Sequence, residues 1–294
     1  MTTPPPRRAA GSTGNRVLLG CGVGLVAIVV LAVVATVVVV NLLRGSGTVA
    51  PPRPRCVASI PDHSTVITSD QAWWTSIIVG TSVKRGLPPR AASIAMATVY
   101  QETDIRNLDH GDRDSVGLFQ QRPSMGWGTV EQIMDPYYSS GAFYDVLVTI
   151  DGWQERDITE VAQAVQRSGY PEAYRDHETD GRTLASTFTG WTPAGLTCVH
   201  KADTAGDIDG LNTFLTTTLG IEAGVPDGKV ITFTANSDEQ AWAIAHTAMA
   251  TGSRFGTDEV VVGAQRWQHD PGALSQWGPA DSPGDDRVVI VTVA

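Results

Sequence analysis

Two hydrophobic periods run along this chain, and one gives way to the other near residue 200. From Gln71 to Arg85, Trp74, Ile77, Ile78 and Thr81 fall on one side of a helix, which the stretch "RGLPP" then breaks. Pro88 and Pro89 suit the first turn of a second helix running to about Gln101 or Glu102. In that helix Ala91, Ile94, Ala95, Thr98 and Val99 form one apolar stripe, and Glu102 continues it. A later helix is predicted to open at Asp157, with Glu160 three residues on in a capping-box arrangement, and to stop at Ser168 and Gly169. Few runs alternate between Cys56 and Cys198, so this region is predicted to be mainly helical.

After His200 the texture changes. The small-residue linker "ADTAGDIDG" is followed by a helical stretch from Leu211 to Leu219 and an alternating strand "KVITFTA". A helix around Glu239 to Ala250 and strands "EVVVGA" and "RVVIVTV" complete a predicted small α/β domain. At the other end, residues 17–43 form an uncharged apolar stretch long enough to cross a bilayer as a helix, with a cleaved signal peptide as the alternative. Arg7, Arg8 and Arg16 precede it without an acidic residue, so the N-terminus is expected in the cytoplasm. Residues 1–16 are expected to be a disordered tail, and residues 44–55 a Pro-rich spacer.

Net charge narrows the partners. At -10, the chain has no basic surplus with which to displace the counterions of nucleic acid, so that class of partner is excluded. Of three cysteines, Cys21 lies in the apolar stretch, which leaves Cys56 and Cys198 as the pair available outside a membrane. They are expected to form a disulfide in an oxidising, extracytoplasmic compartment, the alternative being two separate buried thiols. The six histidines are scattered, and neither a metal-spaced cluster nor a phosphate-cradling glycine loop is present, so no metal or cofactor is expected.

Glu102 is the candidate for chemistry. A carboxyl on the packed face of a helix is desolvated, which raises its pKa and favours the protonated form that a general acid needs. Read alone, it is more readily an exposed glutamate of the last turn or one tied to Arg106 or Arg113. The motif around it resembles that of the lytic transglycosylase and goose-type lysozyme superfamily, whose members carry a Glu-Ser pair and then Gly-Leu-Met-Gln beginning fifteen residues after the glutamate. Here Glu102 and Thr103 are followed by "GLFQ" from Gly117 at that spacing, with Phe119 in place of Met. The string "GDRDSVGLFQQRPSMGWGT" is similar to a group of actinobacterial, membrane-anchored extracytoplasmic proteins with a transglycosylase-like domain.

That resemblance implies a fold and a site. The fold class expected is a mainly α lysozyme-like domain over residues 56–198, a linker at 199–206, and a small C-terminal α/β domain over 207–294, all behind one N-terminal transmembrane helix. The activity implied is cleavage of the bond between N-acetylmuramic acid and N-acetylglucosamine in peptidoglycan, with Glu102 as acid and base. Asp112 and Asp114 are the alternatives for a second carboxylate in an inverting muramidase, against a plain turn role. Thr103, Ser115, Gly117, Leu118, Phe119, Gln120, Gln121 and Trp127 would line the sugar groove. The family's Ala-Tyr-Asn-Ala-Gly segment corresponds to "AVQRSGY", where Gln166 and Arg167 replace Tyr and Asn. Arg167 beside Glu102 would lower its pKa, so a catalytically silent peptidoglycan-binding or scaffold protein is the competing expectation. The C-terminal domain is expected to pack its tryptophans and, from its position alone, to dock to wall polymer or an envelope protein.

Overall fold

The computed structural model describes residues 53–167 and 171–294, together with Ala32 and Thr36. The expected membrane span at 17–43 thus lies outside the described residues but for those two, and among the described residues no helix is long and apolar enough to cross a membrane. The described residues from 53 onward belong to one compact unit.

The described fold opens with a hairpin that the sequence pattern did not announce. Strand β1 (Arg55–Ile60) turns through Pro61 and Asp62 into β2 (His63–Thr68), with Ile60 opposite His63. Strand β3 (Leu196–Val199) pairs on the other side of β1, giving an antiparallel sheet of order β2-β1-β3. Cys56, Ala58 and Ile67 point into the core, while Ser64, Val66 and Thr68 face outward. Cys56 stands directly opposite Cys198, and the two form the expected disulfide.

Thr68 ends β2 and caps helix α1 (Ser69–Lys84), its hydroxyl accepting from Gln71 N while the Gln71 side chain accepts from Thr68 N. Helix α2 (Pro89–Thr103) starts on proline, as expected, and is buried at every position from Ala91 to Val99. A single stripe understates it, because neighbours cover α2 on all sides. Helices α3 (Val130–Met134), α4 (Pro136–Leu147), α5 (Ile158–Gln166) and α6 (Glu178–Phe188) follow, with short 3-10 segments at Pro123–Met125 and Pro171–His177. Helix α6 lies closest to α2, since a Cβ at Gly181 would sit 2.8 Å from Ala97 N. Asp157 caps α5 through Thr159 N and Glu160 N, and the helix ends two residues before the expected Ser168, on Arg167 at φ 53°.

The C-terminal part holds α7 (Ile208–Leu219), β4 (Val225–Asp227), β5 (Val230–Thr234), α8 (Asp238–Ala250), α9 (Gly252–Phe255), β6 (Thr257–Val262), β7 (Gln265–Gln268), β8 (Gly278–Pro279) and β9 (Val288–Val293). Its six strands run β4-β5-β9-β6-β7-β8, antiparallel at each pairing. One buried cluster extends from Ile94 and Phe119 in the first part to Trp242 and Val291 in the second. Trp73 of α1 stacks on Phe214 of α7 at 4.3 Å, and the Arg254 guanidinium lies over the Trp73 ring.

The expected fold class is corrected accordingly. A mainly α domain plus an α/β domain behind a transmembrane helix gives way, among the described residues, to helices packed with two antiparallel sheets. Two-residue hairpin connections and antiparallel pairings need no crossover helix, so the arrangement is of the α+β kind.

Candidate functional site

The carboxyl of Glu102 lies at the C-terminal end of α2, half-buried, where the helix stops abruptly. Asp104 (φ 52°) and Ile105 (φ 53°) both take the left-handed conformation immediately after it. A β-branched residue there is a real outlier, and such strain gathers at functional sites. It is held in place because the Ile105 side chain is fully buried and Gln71 Nε2 donates to Asp104 O at 3.0 Å.

Thr103 ties this helix end to the glycine-bearing segment. Its buried hydroxyl donates to Leu118 O at 2.8 Å and accepts from Arg106 N at 3.2 Å. Gly117 is needed where it stands, at φ 82° with Ile133 O only 2.8 Å from where a Cβ would be. Leu118 is buried, and Phe119 stacks on Phe143 at 4.6 Å inside the core. Gln120 folds back on its own loop, donating to His110 O and Gly117 O. Gln121 is buried and donates to Ser139 O, leaving its Oε1 without a partner in the described structure. Ser115 is buried in the same loop, and Trp127 is half-buried between Gly126 and Gly128.

Two donors reach Glu102. The Tyr174 hydroxyl donates to Oε1 at 2.7 Å, and Gln166 Nε2 donates to the same oxygen at 3.3 Å and to Phe119 O at 2.7 Å. Oε2 accepts no hydrogen bond from the described residues. Burial pushes the Glu102 pKa up, and the Tyr174 and Gln166 hydrogen bonds pull against it without cancelling it. Gln166, which stands where the family has a tyrosine, is thus brought to the carboxyl. Arg167 is exposed at the end of α5 and makes no ion pair with Glu102 among the described residues.

Tyr174 escaped sequence reasoning. It sits in a 3-10 segment among polar residues, where no apolar period marks it, although its aromatic ring is fully buried.

The two aspartates are placed differently. Asp114 accepts from Arg122 Nε at 2.8 Å, Ser124 N at 2.8 Å and Ser124 Oγ at 3.0 Å, which holds its carboxyl far below the usual carboxylate range. That geometry closes the loop from 114 to 124. Asp112 is 89% exposed and lies 3.8 Å from Arg113 Nε. Among the described residues no group of three or more His, Cys, Asp or Glu is arranged to hold a metal ion.

Neither a family model nor a curated protein matches the chain. The residues themselves therefore carry the functional argument. Arginines near the site divide into two sets: Arg113, Arg122 and Arg175 pair with Asp112, Asp114 and Asp157, whereas Arg106 and Arg167 have no carboxylate partner among the described residues. Arg106 Nε donates to Thr103 O, and Arg167 follows Gln166, so these two arginines adjoin residues that touch or neighbour Glu102.

Proposed function

We propose that this protein is an extracytoplasmic glycan-cleaving protein of the lytic transglycosylase type, directed at peptidoglycan, with Glu102 as its single acid and base. The observation that carries this reading is the Glu102 carboxyl: raised in pKa by burial, held at Oε1 by Tyr174 and Gln166, and with no hydrogen bond to Oε2 from the described residues. A general acid must hold its proton near working pH and present it to a leaving oxygen, and burial moves this carboxyl in that direction.

In the reaction, protonated Glu102 donates to the glycosidic oxygen between N-acetylmuramic acid and N-acetylglucosamine as the C1–O bond breaks. The N-acetylglucosamine side leaves as an alcohol, and positive charge develops on the muramyl ring. Glu102, now a carboxylate, takes the proton from the muramyl 6-hydroxyl while O6 bonds to C1. The products are a 1,6-anhydro end and a re-protonated Glu102. No water is consumed and no second carboxylate is required. An inverting hydrolysis would need a second carboxylate as base, and Asp114 is committed to Arg122 and Ser124 instead.

Three further observations support the reading. The disulfide between Cys56 and Cys198 fits an oxidising compartment outside the cytoplasm. Arg106 and Arg167 suit a strand that bears carboxylates, as muramyl peptides do. The silent-scaffold alternative rested on Arg167 beside Glu102 and on the missing Tyr-Asn pair; no ion pair of Arg167 with Glu102 is present among the described residues, and the Tyr174 hydroxyl and Gln166 amide reach the carboxyl instead. In the test, release of soluble fragments from purified peptidoglycan by wild type and Glu102→Gln is compared. The variant is expected to fall about 10²- to 10⁴-fold, the usual weight of a positioned general acid. Equal release by both would overturn the reading.

A further inference from the structure

Between the first sheet and the loop leading into β8 lies a half-open cavity of about 170 Å³. Its wall brings Val57, Leu274 and Trp277 together with the polar residues Ser59, Thr197 and Gln276, while Leu196 contributes to the wall with its side chain buried in the core. None of these residues belongs to the Glu102 site.

The cavity is built rather than incidental. Trp277 donates its indole N–H to Leu196 O at 2.8 Å and meets Trp242 edge-on at 5.0 Å, so its ring is fixed before any ligand arrives. Ala194 on the wall has φ 52°, a conformation that a residue with a Cβ seldom adopts. The Gln276 side chain is exposed and makes no hydrogen bond among the described residues, which leaves an amide donor and an amide acceptor at the rim. Three residues before Ala194, Trp191 keeps 61% of its surface exposed, an uncommon state for the largest apolar side chain.

A ligand for this cavity must be small, with an apolar face and a polar edge. Drug-sized apolar ligands occupy cavities of roughly 300 Å³ or more, which excludes them here. A pyranose ring has the required form: C–H groups line one face and hydroxyls its edge. An acetamido group adds one N–H and one C=O, which match the two functions of the Gln276 amide. We propose that this cavity is a second sugar-binding site that takes one N-acetylhexosamine unit of a glycan strand. The choice of sugar rests on the glycan-directed reading of Glu102; the site itself does not.

The experiment is a titration of the full chain, as its Glu102→Gln variant to prevent turnover, with the tetrasaccharide of N-acetylglucosamine, followed by NMR. The indole N–H of Trp277 and the side-chain amide of Gln276 are expected to shift in a saturable way. Leu274→Arg, which puts a long charged side chain on the cavity wall, and Gln276→Ala, which removes the side-chain amide, are each expected to weaken that response roughly tenfold. In an otherwise wild-type chain these two substitutions should leave fragment release from peptidoglycan by Glu102 in place. Unmoved Trp277 and Gln276 signals at saturating sugar would overturn the proposal, as would shifts that both variants retain. A shifting Trp277 in a protein that cleaves no glycan would keep the sugar site and remove the Glu102 reading; cleavage without a shift would do the reverse.

Discussion

At the scale of single residues, Glu102 is under two opposed influences. Burial disfavours its carboxylate, while the Tyr174 and Gln166 donors favour it, and burial is the larger. That balance gives Tyr174→Phe a definite sign. Losing the O–H donor raises the Glu102 pKa further, so the alkaline limb of the kcat/KM profile should move to higher pH. The substitution keeps the ring, which is what fills the buried space. A pH–rate profile checks this, and an unmoved or lowered limb would contradict it. Glu102 itself was legible in the sequence, because a carboxylate continuing the apolar stripe of a proline-started helix is unusual. Its partners were legible only in part. Gln166 follows the periodic residues of α5, whereas Tyr174 stands in a 3-10 segment that has no helical period to betray it.

At the scale of elements, the first sheet is where the sequence reading fell short. Strand β2 alternates buried Thr65 and Ile67 with outward Ser64, Val66 and Thr68, and the Thr and Val content of "HSTVIT" is the β signal that was there to find. Strand β1 obscured it: in "RCVASI" small and apolar residues point to both faces, so no polar period appears. The helices were clearer, since the Asp157 cap of α5 and the proline start of α2 are local chemistry. The β1–β3 pairing also defines what the disulfide does. It joins directly opposite residues and closes a loop spanning a sequence separation of 142, so it anchors a long-range contact. Replacing Cys56 and Cys198 together by serine is predicted to cost about 2–5 kcal/mol in denaturant unfolding. Unchanged stability would contradict that role.

At the scale of the molecule, one buried histidine joins the two parts of Pro51–Ala294. His246 of α8 is fully buried, and its Nδ1 lies 2.8 Å from Thr187 O of α6, while Nε2 has no partner in the described structure. Since a carbonyl only accepts, Nδ1 carries a hydrogen. Burial pushes the His246 pKa down from 6.5 to about 4. The sign follows from linkage: between these two values the unfolded chain binds a proton that the folded chain does not, so stability falls as pH drops from 6.5 toward 4. The loss reaches about 3 kcal/mol, using ~1.4 kcal/mol per unit. His246→Gln should flatten that slope in melts taken across the same pH range, and an unaltered slope would contradict the assignment. Nothing in the sequence separates His246 from the other histidines, because its burial comes from contact between α6 and α8, which lie far apart along the chain.

Mass spectrometry of the fragments released from purified peptidoglycan tests the central claim most directly. The account predicts muropeptides ending in 1,6-anhydro-muramic acid from the oxidised wild-type protein and none from its Glu102→Gln variant. Reducing-end products, or no fragments from the wild type, would contradict it.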